Sequence, residues 1–147
     1  MNYILENYYG VSEVEGSQSN AKILKIIKWA MNWVKDDSKA AWCAIFLSWV
    51  INEVNLWNWK TEMEPIKLAR RFDQVGIEVD KPIMGDIVIF WRGKKNGWKG
   101  HVGIFIRQEG DLIYTLGGNQ NNQINIRGYS ANRVIEYRRL IEPVCPF

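Results

Sequence analysis

The apolar residues of this chain change their spacing near its midpoint, and this change restricts the fold more than any other feature. In the first half, hydrophobic side chains recur with the 3.6-residue period of helices. In the second half, runs of β-branched and aromatic residues alternate with turns rich in glycine and asparagine, which is typical of strands. No repeat or linker separates the halves. The sequence therefore predicts a single domain over residues 1–147, of the α+β class, with N-terminal helices packed on an antiparallel sheet.

Three helices are predicted in the first half. Asn20 is suited to cap a helix whose apolar positions continue to Val34. A second helix is predicted over residues 41–56 and a third over residues 64–74. In the second half, five strands are predicted, with a hairpin between the second and the third: IVIFW (87–91), HVGIFIRQ (101–108), LIYTL (112–116), INIR (124–127) and VIEYRRL (134–140).

Composition excludes several classes of function. The net charge is only +3, and the one local basic cluster lies in a glycine-containing loop, so a nucleic-acid binder is disfavoured. One histidine and two cysteines do not form the usual zinc-binding set, and we predict no metal or cofactor. The eight tryptophans and six tyrosines are too many for complete burial, and exposed rings would suit sugar rings or a partner protein.

The first residues, MNYILENYYG, lack the basic and apolar regions of a secretory signal. No segment approaches the roughly 18 apolar residues of a membrane-spanning helix. We therefore expect a protein that is made in the cytoplasm without a signal peptide or membrane span, and that needs a delivery system to act elsewhere.

Cys43 stands at the first turn of the second predicted helix. A buried core cysteine is the simpler interpretation, because free cysteines are among the most buried residues. A nucleophile is the alternative, because unpaired N–H groups and the helix dipole at a helix start favour a thiolate and could hold an oxyanion. On the second interpretation, Cys43 should react with alkylating agents faster than Cys145, the only other cysteine.

His101, the only histidine, begins a predicted strand on the face opposite the aliphatic one. It could accept the thiol proton and return it to a departing amine. Asn119 follows the neighbouring strand, and Gly117 and Gly118 would let the backbone turn to bring its amide to the imidazole. The sequence thus offers a cysteine, a histidine and an orienting asparagine, in that order.

These residues lie in motifs that resemble a known family. WCAIFLSWV, PIMGDIVIFW, GHVGIFI and LGGNQNNQINI are similar to segments of the NlpC-like and CHAP-type (cysteine, histidine-dependent amidohydrolase/peptidase) cell-wall hydrolases. The similarity is greatest to a small single-domain branch and extends from about Gly10 to Arg138. The glutamate that many members carry two residues before the asparagine is Gly117 here, and the proline that often precedes the WC pair is Ala41.

The resemblance implies a papain-like fold and cleavage of an amide in the peptidoglycan stem peptide, or at the junction of glycan and peptide, through a thioester. Cys43 would be the nucleophile, His101 the base and acid, and Asn119 the orienting residue. Asp86 would brace the turn before its strand. Because Trp42 and Trp98 flank the catalytic pair in sequence, we expect them to form groove walls, with a core position as the alternative for either, and we expect Gly118 to contact the substrate.

Other functions remain open on the sequence alone. A catalytically silent module that binds the cell wall or glycan would use the aromatic rings, and a papain-like deamidase, transglutaminase or protease acting on proteins would share the same residues. A cell-wall hydrolase of this kind fits a phage-type lysin released through a holin. It fits equally an injected antibacterial effector, which would be paired with an immunity protein.

Overall fold

The computed structural model describes residues 1–14, 19–35, 41–54 and 64–140. Leu56, the predicted end of the second helix, and Cys145 lie outside these ranges. The described helices and strands form an α+β fold, which confirms the predicted class. No described helix has both the length and the apolar character needed to cross a membrane.

Three α-helices are described: α1 (Asn2–Asn7), α2 (Ala21–Ala30) and α3 (Cys43–Glu53). Asn20 caps α2 as predicted, because its Oδ1 accepts hydrogen bonds from the N–H groups of Lys22 and Ile23. The prediction that this helix continues to Val34 is wrong, since it ends at Ala30. α1 was not predicted.

The helix predicted over residues 64–74 is also largely wrong, because only Ala69–Gln74 is helical, and as a 3₁₀ helix. Pro65 disfavours a helical conformation at the residue before it. The Ser48 hydroxyl donates to the Ile66 carbonyl at 3.1 Å and accepts from the Ile66 N–H at 3.1 Å. These bonds fix the segment to α3 and occupy backbone groups that a helix would have used.

In the described part of the chain, six strands form one sheet: β1 (Ile77–Val79), β2 (Ile87–Trp91), β3 (Gly100–Glu109), β4 (Leu112–Gly117), β5 (Asn125–Ser130) and β6 (Val134–Arg139). Their order is β1-β6-β2-β3-β4-β5, and every neighbouring pair is antiparallel. The five predicted strands and the β3–β4 hairpin are confirmed. β1 was not predicted, and a second 3₁₀ helix, Ala131–Arg133, connects β5 to β6.

The sheet has an apolar core on each face. On one face, Val102 and Ile104 of β3 join the large cluster formed by the buried residues of α2 and α3. On the other face, Phe90 and Phe105 pack under Tyr129 and Tyr137. Because side chains alternate along a strand, His101, the second residue of β3, lies on this second face.

Asp86 braces the turn before β2, as predicted. It is buried, accepts from the Ile83 N–H at 2.8 Å and binds the Arg139 guanidinium with both carboxylate oxygens. Burial alone would raise the pKa of Asp86, but Arg139 and the Ile83 N–H together lower it. The side chain of Asp86 thus ties the turn before β2 to β6.

Candidate functional site

Cys43 is the first residue of α3 and is buried, with 4% of its surface exposed. N–H groups in the first turn of a helix have no partner within the helix. Here the N–H groups of Val102, Ala44 and Cys43 itself are close enough to the thiol to act on its pKa. Because Val102 directly follows His101, this contact brings the start of α3 to the start of β3.

Burial raises the pKa of the Cys43 thiol above its ordinary value, although the three N–H groups and the charge of Arg92 act in the opposite direction. Burial thus favours the thiol over the thiolate in the free protein, and the faster alkylation of Cys43 than of Cys145 stays a prediction. Removal from water outweighs the helix terminus at this position. The thiol keeps its proton until a base removes it.

His101 is buried against two aromatic rings. Its ring centroid lies 6.2 Å from that of Phe90 and 4.9 Å from that of Tyr129. Burial, opposed by a hydrogen bond to Gln120 and aided by the charges of Arg92 and Arg127, lowers the pKa of His101 to about 4. The imidazole is therefore neutral near pH 7, which is the form required of a base.

Gln120 forms the hydrogen bond to the imidazole: its Oε1 lies 3.0 Å from His101 Nε2. The Thr115 hydroxyl donates to the same oxygen at 2.8 Å. Gln120 Nε2 donates to the Thr115 and Asn125 carbonyls at 3.1 and 2.7 Å, which fixes the orientation of the amide. Because Oε1 can only accept, His101 Nε2 carries the proton and Nδ1 is left with its lone pair.

Asn119, the predicted orienting residue, lies next to this position. Its backbone has a φ of 55°, and its side chain lines the cavity beside His101. Among the hydrogen bonds of the described residues, the imidazole bonds to Gln120 and not to Asn119. The motif GGNQ contained both amides, but the left-handed turn at Asn119, which decides which one faces inward, has no distinct sequence signal.

The three residues predicted to contact substrate lie in different surroundings. Trp42 has no exposed surface, and its Nε1 donates to Glu13 Oε1 at 2.6 Å, so it belongs to the core and forms no groove wall. Gly118 is buried against Trp42 and Phe46, which makes it a packing residue in this structure. Trp98 is 71% exposed and lines a cavity together with Cys43.

Two cavities reach the site. One, of about 220 Å³, is lined by His101, Asn119, Tyr129 and the arginines Arg92, Arg127 and Arg133, and we call it the arginine pocket. The other, of about 450 Å³, is lined by Cys43, Trp98 and neighbouring residues, and we call it the Cys43 cavity. Arg92 lines both, so the two cavities adjoin at this arginine.

Tyr129 is a site residue that the sequence did not reveal. It lies on β5, opposite Ile113 of β4, and its ring contacts the imidazole at an angle of 36° between the planes. Burial raises the pKa of Tyr129 to about 12, so the hydroxyl keeps its proton near neutrality. Tyr129 lines the arginine pocket together with His101.

The described residues offer no cluster of three or more histidine, cysteine, aspartate or glutamate side chains that could hold a metal ion. The chemistry that this arrangement can support is proton transfer between a thiol and a neutral imidazole, with N–H groups available for a developing negative charge.

Comparison with known proteins adds one match. A family model described as the CHAP domain matches residues 34–119. The matched range includes Cys43, His101 and Asn119, and it ends directly before Gln120. No curated protein matches the chain.

Proposed function

The chain belongs to the CHAP domain family, whose members are peptidoglycan amidases and peptidases, and we propose that it is a cysteine-dependent peptidoglycan hydrolase. It would cleave an amide of the stem peptide or of the junction between glycan and peptide. The observation that carries this proposal is the hydrogen bond from His101 Nε2 to Gln120, which leaves the Nδ1 lone pair for use as a base. His101 directly precedes Val102, whose N–H acts on the Cys43 thiol.

The reaction follows from the protonation states of the two groups. His101 Nδ1 removes the thiol proton while Cys43 Sγ attacks the amide carbon, and the Cys43 N–H stabilises the oxyanion. The C–N bond then breaks, His101 gives the proton to the departing amine, and a thioester remains. Water, deprotonated by His101, attacks the thioester and releases a carboxylic acid and the thiol. One amide and one water thus give one acid and one amine.

The pKa directions support concerted proton transfer. Burial raises the pKa of Cys43 and lowers that of His101, so thiol and neutral imidazole form the resting pair. A thiolate–imidazolium pair would cost free energy in this buried site before substrate arrives. The proton therefore moves when the thiol attacks and not before.

Digestion of isolated sacculi tests the proposal. Wild type should release new amines or short peptides, whereas Cys43→Ala and His101→Ala should release none above background. Arg107→Gln is a matched control, because Arg107 is exposed and pairs with Glu109 on the far part of β3. Mass spectrometry of the fragments identifies the bond that is cut.

The outcomes separate the competing functions. Digestion by Cys43→Ala at the wild-type rate would remove the cysteine from the mechanism. Binding to sacculi without release of fragments, in wild type and variant alike, would favour a silent binding module. Cleavage or deamidation of a protein with sacculi left intact would favour a cysteine enzyme that acts on proteins.

The place of action follows from the substrate. We propose that the protein acts on the cell wall from the periplasm, as a phage-type lysin or as an injected effector with an immunity protein. Fused to an export signal, wild type should lyse bacterial cells, whereas the same fusion of Cys43→Ala should not. Equal growth with both exported forms would contradict this proposal.

A further inference from the structure

The arginine pocket beside His101 is strongly positive. Arg92, Arg127 and Arg133 line it, and none of its lining residues is an aspartate or glutamate. The ion pairs found among the described residues involve other arginines: Arg107, Arg138 and Arg139. The positive charge in this pocket is therefore not neutralised by the described part of the protein.

Aromatic rings hold two of the three guanidinium groups. Arg133 lies over the ring of Trp91 at 5.5 Å, and Arg127 lies 6.0 Å from the ring of Tyr129. Trp91 is itself fixed, because its Nε1 donates to the Asn132 carbonyl at 3.2 Å. Stacked guanidinium groups keep their N–H donors free, and their planar fork matches a carboxylate.

The position of the pocket assigns it to one side of the cleaved bond. His101 lines the arginine pocket, and in the proposed reaction it gives its proton to the departing amine. Cys43 lines the other cavity and becomes bonded to the acyl part. The amine side of the substrate therefore lies toward Arg127 and Arg133, and the acyl side lies toward Trp98.

We propose that Arg92, Arg127 and Arg133 bind a carboxylate that the substrate carries on the amine side of the cleaved amide. This assignment rests on the proposed function, because it takes the orientation of the substrate from the roles of Cys43 and His101. It defines the substrate class as a peptide with a free carboxylate close to the bond, and it predicts discrimination against the amidated form.

Binding to Cys43→Ala tests the pocket without turnover. The probes are the dipeptide N-acetyl-Ala-Glu, with both carboxylates free, and N-acetyl-Ala-Gln-amide, measured by NMR titration. The carboxylate form should bind about tenfold more tightly or better, a difference expected of a charge-assisted contact. Equal affinity for the two peptides, or no binding of either at millimolar concentration, would overturn the proposal.

Arginine variants locate the binding. In the Cys43→Ala background, Arg127→Gln with Arg133→Gln should abolish the preference for the carboxylate, while Arg107→Gln should leave it unchanged. A preference that survives the double substitution overturns the assignment. Inorganic phosphate that binds more tightly than the carboxylate peptide also overturns it, in favour of a phosphate site.

Kinetics separates this proposal from the preceding one. With Cys43 intact, Arg127→Gln should raise KM for substrates with the free carboxylate several-fold more than it raises KM for amidated substrates. Equal effects on both substrates would overturn the proposal. If the protein digests sacculi but its pocket shows no preference for the carboxylate peptide, the carboxylate site is rejected and the proposed hydrolase is kept. A carboxylate preference without any digestion would instead reject the hydrolase.

Discussion

At the scale of residues, Gln120 gives the imidazole a neutral partner. Its amide is held by Thr115 and Asn125, so the oxygen that faces His101 is fixed in direction. A carboxylate in this position would stabilise the imidazolium, whereas an amide oxygen does so far less. This agrees with a His101 pKa of about 4. Gln120 thus holds the ring and its tautomer while leaving the ring uncharged.

Replacements of Gln120 should separate its effect on the orientation of the imidazole from its effect on the charge of the imidazole. Gln120→Leu removes the acceptor for Nε2–H, so we expect kcat to fall by about tenfold to a hundredfold, a part of the 10²–10⁴ that a positioned base contributes. Gln120→Glu should keep the ring oriented but raise the pKa of His101, which would shift the acid limb of the pH–rate profile upward.

The matched comparison for this prediction is Asn119→Gly, which accommodates the left-handed backbone at Asn119. It should cost less kcat than Gln120→Leu. If Asn119→Gly lowers kcat more than Gln120→Leu does, and Gln120→Glu leaves the pH–rate profile unchanged, then Asn119 and not Gln120 orients the imidazole.

At the scale of elements, the loop after β4 must approach the start of α3 closely. A Cβ added at Gly118 would lie 2.6 Å from Trp42 Cζ3 and 2.7 Å from Phe46 Cβ. Only glycine permits this approach. Because Cys43 stands between those two aromatic residues and Gln120 follows two positions after the glycine, the same contact sets both halves of the site.

Gly118→Ala should therefore destabilise the protein by about 1–3 kcal/mol, the usual cost of overpacking a core. The midpoint of denaturant unfolding measures this, and sacculus digestion should fall as well, since α3 and the loop must move apart. Gly110→Asn is the control. A Cβ at Gly110 meets nothing within 4 Å, and asparagine tolerates its φ of 56°. Equal midpoints for the two variants would mean that the loop adjusts freely.

At the scale of the whole molecule, the features that could be predicted were those that follow from local patterns in the sequence. The class, the five strands with their hairpin, and the cap at Asn20 depend on local patterns, and they are confirmed. The segment after Glu64 depended on a contact with Ser48, which is far away in sequence. The burial of Trp42 and the inward turn of Gln120 depended likewise on tertiary packing. Such contacts leave no periodic trace, and the details of the site were therefore the least predictable.

The whole molecule should also respond to acid through its buried histidine. His101 has a pKa of about 4 in the folded protein against 6.5 as its ordinary value. Between these values the unfolded chain binds a proton that the folded protein excludes, so stability rises with pH over this window and is lost as pH falls. A shift of this size corresponds to about 3 kcal/mol. At pH values below this window, protonation of Asp86, whose pKa is lowered in the folded protein, decreases the stability further.

Denaturant unfolding of wild type and of His101→Gln, each at pH 7 and pH 4, measures the contribution of His101 to the free energy of unfolding. Between those two values, wild type should lose about 3 kcal/mol more free energy of unfolding than His101→Gln, which cannot be protonated. The comparison of losses removes the carboxylates, because both proteins contain Asp86 and the same acidic residues. Parallel losses in the two proteins would show that the imidazole titrates alike in the folded and unfolded states. The neutral resting pair of thiol and imidazole would then have to be abandoned, and with it the concerted proton transfer.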